Sequence, residues 1–140
     1  MKLRHAAKVV LRRRSDRKYL ILWSSEWKEN PRRSHQPDLP GGIVEDGESV
    51  TEGLLREVQE EAGFAVDESA LVLAHAHIWD ETDESTVFLV YFAEIDDPEV
   101  TLSWEHERYA WLDADELLQL TMRQPYPAIF RHMQKVELIN

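Results

Sequence analysis

Three glutamates, Glu57, Glu60 and Glu61, lie within five residues of one another in the segment REVQEEAGF. At about 4 Å, two unit negative charges repel by roughly 4 kcal/mol in the effective dielectric of a protein surface. Mg²⁺ and Mn²⁺ prefer carboxylate oxygens and often share their coordination shell with phosphate and water. The cluster therefore favours a site for a hard divalent cation, although a Glu-rich helix face taken alone is more often simply solvated.

A helix over residues 49–62 is predicted to carry these carboxylates. Ser49 suits its N-cap, Glu52 could complete a capping box, and Gly63 is a typical C-terminal stop. On a helical wheel, one arc holds the apolar side chains Val50, Leu54, Leu55, Val58 and Ala62. The glutamates follow one edge of this arc, so all three are expected near a packed surface rather than in bulk water.

Arg56 lies on the same helix beside the glutamates. Its i,i+4 spacing from Glu52 predicts an ion pair between these two side chains. The guanidinium could also hold a catalytic carboxylate in one rotamer. The preceding segment GGIVEDGE brings Gly41, Gly42 and Glu48 to the N-terminus of this helix, where glycines allow backbone to approach a cation or a pyrophosphate closely.

The segment GIVEDGESVTEGLLREVQEEAGF, residues 42–64, resembles the Nudix box, G-x5-E-x7-R-E-U-x-E-E-x-G-U, in which U is a bulky apolar residue. Every fixed position matches, namely Gly42, Glu48, Arg56, Glu57, Val58, Glu60, Glu61, Gly63 and Phe64. The segment EHERYAWL from Glu105 resembles a later segment of the same MutT-like family. Nine matches within the box make the resemblance highly specific.

The resemblance implies an α/β (α+β) fold, an α/β/α sandwich with a mixed sheet. It also implies hydrolysis, dependent on Mg²⁺ or Mn²⁺, of the pyrophosphate bond in a nucleoside diphosphate linked to another group. Glu57, Glu61 and the Gly42 carbonyl would be metal ligands, and Glu60 would be a ligand or bind metal-bound water. Glu48 and Arg56 would orient the glutamates.

A nucleotide-sensing domain that binds without turnover is the alternative function, but such domains usually lose box glutamates. The resemblance leaves the substrate open. Neither the downstream Pro of ADP-ribose hydrolases nor the Tyr of diadenosine polyphosphate hydrolases stands at its expected distance from the box. Oxidised deoxynucleoside triphosphates have no reliable short marker.

Further candidates lie outside the box. Glu105 is the expected general base, and Glu107 in the same loop is a candidate for binding the substrate. The polar loop from Ser24 to Asp38 carries Trp27, Arg32 and Arg33, which could stack on a base and contact phosphate or serve only as structure. On a strand, His75, His77 and Trp79 would share one face. That face could lie in the substrate pocket or be buried against a helix. A zinc site is a minor alternative.

Composition limits the class of protein. The 140 residues predict a single domain over residues 1–140. The absence of Cys excludes disulfides and Cys nucleophiles and fits a cytoplasmic location. The net charge of −11 argues against general nucleic-acid binding, although residues 1–36 carry eleven Lys and Arg against three Asp and Glu. No apolar run is long enough to span a membrane, and a homodimer stays open.

The remaining pattern predicts the elements that position these residues. HAAKVVLRR and RKYLILW are expected to form a hairpin, and LPGGIVEDGE a turn-rich connector. ALVLAHAHIW and STVFLVYFAEI are expected as strands around an acidic turn. YAWL would be a short strand, followed by helices over DADELLQL and from Tyr126 onward. This order favours mixed layers of helices and strands.

Overall fold

Seven strands form one mixed β-sheet in the computed structural model, which describes residues 2–140. The strands are β1 (Lys2–Arg13), β2 (Tyr19–Ser24), β3 (Pro37–Asp38), β4 (Gly41–Ile43), β5 (Val72–Asp80), β6 (Glu84–Ile95) and β7 (His106–Leu112). The helices are α1 (Val50–Ala62), α2 (Ala114–Gln119) and α3 (Tyr126–Lys135). Short 3-10 turns cover Pro31–Arg33 and Glu68–Ala70.

The centre of the sheet is the parallel pair of β1 and β6, which stay in register from Lys2 opposite Glu84 to Arg13 opposite Ile95. The other pairings are antiparallel, and they include the predicted hairpin β1–β2 and the pair β5–β6, whose two strands were predicted around an acidic turn. β1 changes neighbour along its length, because its first half borders β4 and its second half borders β2. The sheet is therefore mixed, as predicted.

Helices cover both faces of the sheet. On one face, α1 packs through Leu54 and Val58 on strand residues such as Val9. On the other face, α2 and α3 pack through residues such as Leu117 and Ile129. Because both faces are buried, β1 and β2 contain nearly continuous apolar runs instead of a strict alternation. This arrangement is the predicted α/β/α sandwich of the α+β class.

The prediction of a turn-rich connector over LPGGIVEDGE is wrong in one part. Gly41–Ile43 forms the strand β4, which pairs with β1. A Cβ at Gly41, where φ is +129°, would lie 2.1 Å from the Ala7 carbonyl oxygen. Only glycine permits this close approach of two backbones. The glycines are visible in the sequence, but Gly41 and Gly42 are in a strand because they pair with β1 in the tertiary structure.

Two other predicted boundaries change. β7 begins at His106, so it is longer than the predicted strand YAWL. The loop after β2 is ordered by the 3-10 turn and by β3, whose Asp38 lies opposite Leu22. At α1, Ser49 accepts from the Glu52 amide as predicted, whereas a complete capping box forms at α2 between Asp113 and Glu116.

The expectation that all three glutamates lie near packed surface holds for two of them. Glu61 is buried and Glu57 is partly buried, but the Glu60 side chain is 53% exposed. Glu60 lies at the far end of the carboxylate arc from the apolar stripe, so the sheet does not cover it. The position on the wheel, 100° per residue, accounts for this difference.

Within residues 2–140, no helix combines the length and apolarity that crossing a membrane requires.

Candidate active site

A cleft of about 770 Å³ opens on the α3 face of the sheet, a size typical of small-molecule sites. Its floor is formed by β1 and β6, and the loop after β2 forms one wall. The β4 glycines and two glutamates of α1 also line the cleft. The site residues lining it include Trp27, Arg32, Arg33, Gly42, Glu57, Glu61 and Glu105.

Glu61 is the most deeply buried of the α1 carboxylates, with 7% of the residue exposed. Burial raises the pKa of its carboxyl to about 8, and Lys8 and the Gly41 amide only partly oppose the shift. Gly41 N–H donates to Glu61 Oε1 at 2.8 Å. The backbone of β4 thus holds one carboxylate oxygen, and the other lies 3.8 Å from His106 Nε2.

Glu57 lies one helical turn before Glu61 and packs against β4. A Cβ at Gly42 would lie 2.7 Å from the Glu57 carboxyl carbon, so the glycine makes room for this carboxylate. Burial raises the pKa of Glu57, and the neighbouring Arg56 guanidinium opposes that shift. The absence of a side chain at position 42 therefore lets the Glu57 carboxylate lie against the β4 backbone.

Arg56 connects three glutamates at the edge of the cleft. Its Nε donates to Glu48 at 2.7 Å, and its Nη1 contacts Glu57 at 3.1 Å and Glu60 at 3.3 Å. The bond from Arg56 lowers the pKa of Glu48 to about 2. The predicted pair with Glu52 is replaced by these contacts, because the guanidinium turns toward the box carboxylates.

The loop that carries Glu105 is fixed on the C-terminus of α1. Thr101 N–H donates to the Ala62 carbonyl at 2.9 Å, and Ser25 N–H donates to the Glu105 carbonyl at 2.8 Å. These bonds place the Glu105 side chain at the cleft. Glu107 points elsewhere, toward His35 Nδ1 at 2.5 Å, and is not among the residues that line the cleft.

Aromatic and basic side chains from the loop after β2 form one wall of the cleft. The Arg33 guanidinium lies over the Trp27 ring at 4.3 Å, and the exposed Trp104 lies 5.4 Å from the same ring. The Trp27 Nε1–H is buried and has no hydrogen-bond partner among the described residues. This wall offers aromatic surface and two cations, Arg33 and Arg32.

The side chains of His75, His77 and Trp79 share one face of β5, as predicted. They lie opposite Val90, Phe88 and Thr86 of β6, and the latter two line the cleft. His75 stacks on His132 of α3 with ring centroids 4.2 Å apart. His77 and Trp79 therefore lie one strand beyond the cleft lining, beside α3.

Within residues 2–140, no three His, Cys, Asp or Glu side chains converge as a ready-made metal site. The donor set nevertheless fits Mg²⁺ or Mn²⁺, which need only one or two carboxylates when phosphate supplies other ligands. Glu57 and Glu61 are partly desolvated oxygen donors in one cleft, and both have raised pKa values. A cation between them would relieve the cost of ionising both.

Several residues of the cleft carry no strong sequence signal. The cleft is also lined by four residues that were not predicted as site residues, Lys8, Asp38, His106 and Arg123. Lys8 could have been noticed as a single charge inside the apolar run AAKVVL. Arg123 lies far along the chain, and only the packing of α3 brings it to the site.

Comparison with known proteins places this geometry in a family. The family model described as NUDIX domain matches residues 2–133. The chain is 32% identical over 101 residues to the bis(5'-nucleosyl)-tetraphosphatase [asymmetrical] of Sus scrofa, with 69% of each chain covered. It is 30% identical over 93 residues to the nucleoside triphosphatase NudI of Klebsiella pneumoniae (strain 342), covering 56% of this chain and 62% of the relative.

Solved structures share the fold at lower identity. A MutT protein from Methanosarcina mazei Go1 superposes with a TM-score of 0.83 at 24% identity, covering 97% of this chain and 96% of that one. The NUDIX domain of Shewanella oneidensis NrtR, complexed with ADP ribose, has a TM-score of 0.77 at 14% identity, covering 98% and 89%. Together with the family match and the box on α1, these likenesses show that the chain belongs to the NUDIX family and is a Nudix hydrolase.

Proposed function

We propose that the protein hydrolyses the pyrophosphate bond of a nucleoside diphosphate linked to another group, with Mg²⁺ or Mn²⁺ as cofactor. The observation that carries this proposal is the convergence of Glu57, Glu61 and the Gly42 backbone at one end of the cleft. The loop after β2 adds basic and aromatic side chains to the same cleft, which suits phosphate and a nucleobase. A substrate lying along the cleft would present its pyrophosphate to the carboxylates.

In this proposal Glu57, Glu61 and the Gly42 carbonyl hold the cation, and Glu60 contributes from the exposed edge. The bound cation would neutralise phosphate charge and increase the acidity of a water molecule. Arg56 and Glu48 keep the Glu57 carboxylate in one rotamer through their mutual hydrogen bonds. Glu105 is proposed to accept the proton of the attacking water, so no Ser, Thr or Cys nucleophile is needed.

A substrate panel tests the proposal directly. Diadenosine tetraphosphate, nucleoside triphosphates, an oxidised deoxynucleoside triphosphate and ADP-ribose would be incubated with the protein and Mg²⁺, Mn²⁺ or EDTA. Mass spectrometry would identify the products, and H₂¹⁸O would show which phosphorus is attacked. We expect cation-dependent cleavage of one or more compounds. Tight binding of a nucleotide without any product would instead support a nucleotide-sensing domain.

The general base can be tested by Glu105→Gln. Because water activation matters mainly in the transition state, we expect kcat to fall by roughly 100-fold while KM changes little. The acidic limb of the pH–rate profile should also change. Glu107→Gln is the matched control, since Glu107 lies in the same segment but pairs with His35. An unchanged pH–rate profile in Glu105→Gln would remove Glu105 from the mechanism.

The basic wall is proposed to recognise the nucleoside or a distal phosphate. Stacking on an aromatic ring contributes about 1–3 kcal/mol, which is about 5- to 150-fold in binding. Trp27→Ala, and the double variant Arg32→Ala/Arg33→Ala, should therefore raise KM several-fold for the best substrate and nearly preserve kcat.

The controls for this wall are Lys28→Ala and a poor substrate that lacks the recognised group. Lys28 belongs to the same loop but is not among the residues lining the cleft. If Trp27→Ala and the double arginine variant keep the wild-type KM for every substrate, the loop is structural. Recognition would then be sought at His77 and Trp79, on the neighbouring strand of the same sheet face.

The cytoplasmic location suggested by the cysteine-free sequence stays part of this proposal, as does a small nucleotide as the binding partner. A homodimer is likewise open to test by light scattering.

A further inference from the structure

Lys8 is a buried cation within the apolar strand β1. Only 6% of the residue is exposed, and it points to the same face of the sheet as Val10. Its ammonium group donates to Asp38 Oδ2 at 3.2 Å and to the carbonyls of Leu39 at 3.3 Å and Gly41 at 3.0 Å. All three donors of the ammonium are thus used, so Lys8 has none left for a substrate phosphate.

Asp38 connects Lys8 to side chains from a distant part of the chain. Its carboxylate accepts from Lys8, from Arg123 Nη2 at 2.9 Å and from the hydroxyl of Tyr126. Burial opposes ionisation of Asp38, but the Lys8 and Arg123 cations outweigh it and lower its pKa. The N-terminus of α3 is therefore connected through Asp38 to a lysine beneath the cleft.

The same network reaches the box through the backbone of β4. Lys8 fixes the Gly41 carbonyl, and the Gly41 amide donates to Glu61 Oε1. The peptide between Gly41 and Gly42 leads directly to the carbonyl expected to bind the cation, and Gly42 packs on Glu57. The path from Tyr126 through Asp38 and Lys8 thus ends at the donors of the proposed metal site.

We propose that Lys8 and Asp38 are positioning residues that fix the β4 peptide and thereby bring Glu61 and the Gly42 carbonyl to the geometry that a divalent cation requires. Tyr126 and Arg123 hold Asp38 and link this function to the docking of α3. The inference rests on the proposed function, because it concerns the same cation. It adds four residues outside the box to the apparatus that serves that cation.

If Lys8 only stabilised the fold, an apolar side chain at this position would serve as well. A buried ion pair is expensive to desolvate, and apolar residues of similar size often stabilise a protein as well or better. The neighbouring positions of β1 are apolar and completely buried, such as Val9 and Val10. A lysine here is better explained by the carbonyl oxygen that its ammonium orients.

Two variants test the network in complementary ways. Lys8→Met removes the ammonium with little change of length, and Tyr126→Phe removes one hydroxyl without changing formal charge. Lys135→Met is the control for loss of a lysine, since Lys135 is exposed on α3. Tyr19→Phe is the control for loss of a buried hydroxyl, because Tyr19 bonds the Leu138 carbonyl outside the network.

Three measurements separate positioning from stability. Mn²⁺ affinity of the nucleotide-free protein would be measured by electron paramagnetic resonance. Amide hydrogen exchange at Gly41 would be followed by NMR in EDTA. Steady-state kinetics with the best substrate would complete the set. We expect Lys8→Met and Tyr126→Phe to bind Mn²⁺ about 10-fold more weakly, to exchange the Gly41 amide faster and to lose kcat with little change in KM.

The direction of the Mn²⁺ effect is diagnostic. Loss of the Lys8 charge alone would strengthen binding of a cation, because like charges repel. Lys8 also lowers the pKa of Glu61, so its loss would favour the proton over the cation near neutral pH. Mn²⁺ binding is therefore compared at about pH 9 or above, where Glu61 is mostly ionised and weaker binding in Lys8→Met reports lost geometry. If Lys8→Met does not fold, Tyr126→Phe decides the question.

Two outcomes reject the proposal in different ways. If the folded variants melt earlier but keep wild-type Mn²⁺ affinity and Gly41 exchange, the network is only structural. If the wild type neither binds Mn²⁺ nor cleaves any compound of the panel, the proposed function fails and the positioning role fails with it.

Discussion

Glu57→Gln and Glu61→Gln are each expected to lower kcat by roughly 100-fold or more. Loss of a residue that only supports a metal ligand costs 10- to 100-fold in affinity or activity, so loss of a ligand should cost at least as much. Glutamine keeps the shape of the side chain and can still accept the Gly41 amide at position 61. The loss would therefore come from the missing negative charge and would be measured in kcat at saturating Mn²⁺.

Glu52→Gln is the matched control for this experiment. Glu52 lies on the first turn of the same helix, and its described contact is the N-cap bond through its backbone amide. We expect the control to keep wild-type kcat. If either Glu57→Gln or Glu61→Gln retained near-normal cation-dependent turnover, the role proposed for that residue would be wrong.

Glu61→Gln is also expected to stabilise the metal-free protein at neutral and alkaline pH. The pKa of Glu61 is about 8 in the folded protein and 4.5 ordinarily. Between these values the folded state holds a proton that the unfolded state releases. The free energy of unfolding therefore falls as the pH rises through this window, by up to about 1.4 kcal/mol per pH unit from this group. Glutamine removes that contribution.

Thermal or urea unfolding in EDTA between pH 5 and about 9 would measure the difference. Wild type and Glu61→Gln should diverge progressively as the pH rises, whereas exposed Glu60→Gln should follow the wild type. Added Mn²⁺ should stabilise the wild type more at high pH, because metal ligands must be deprotonated. If stability depended on pH in the same way in wild type and Glu61→Gln, burial would not raise the pKa of Glu61.

Local sequence patterns predicted the elements that depend on neighbours along the chain. The helix from Val50 to Ala62 and the two hairpins follow from periodicity, an N-cap serine and a terminal glycine. Gly63 adopts the left-handed conformation expected of a helix stop, with φ at 77°. The NUDIX family was recognisable from the box because its residues are contiguous and their identities are fixed by one chemistry.

The burial of each box glutamate on α1 depends on which elements pack against that helix. The wheel put Glu57, Glu60 and Glu61 on one edge of the helix, with Glu60 farthest from the apolar arc, and the packing of the sheet on that arc buried Glu61 and left Glu60 exposed. Likewise, Arg56 does not pair with Glu52 as predicted; it makes an i,i+4 pair with Glu60 and binds Glu48, which the loop before the helix brings near. Side-chain partners of this kind follow from tertiary distances, which spacing along one helix cannot supply.

By itself, the sequence determined the family, the layer architecture and the clustering of glutamates on one helix, since these rest on contiguous segments and local backbone preferences. Only the tertiary structure decided that glycines 41 and 42 form a strand against β1 and that Lys8, Asp38 and Tyr126 meet beneath it. Lys8 and Tyr126 are 118 residues apart in the chain. Their meeting depends on how α3 packs across the sheet, and no local preference encodes that contact.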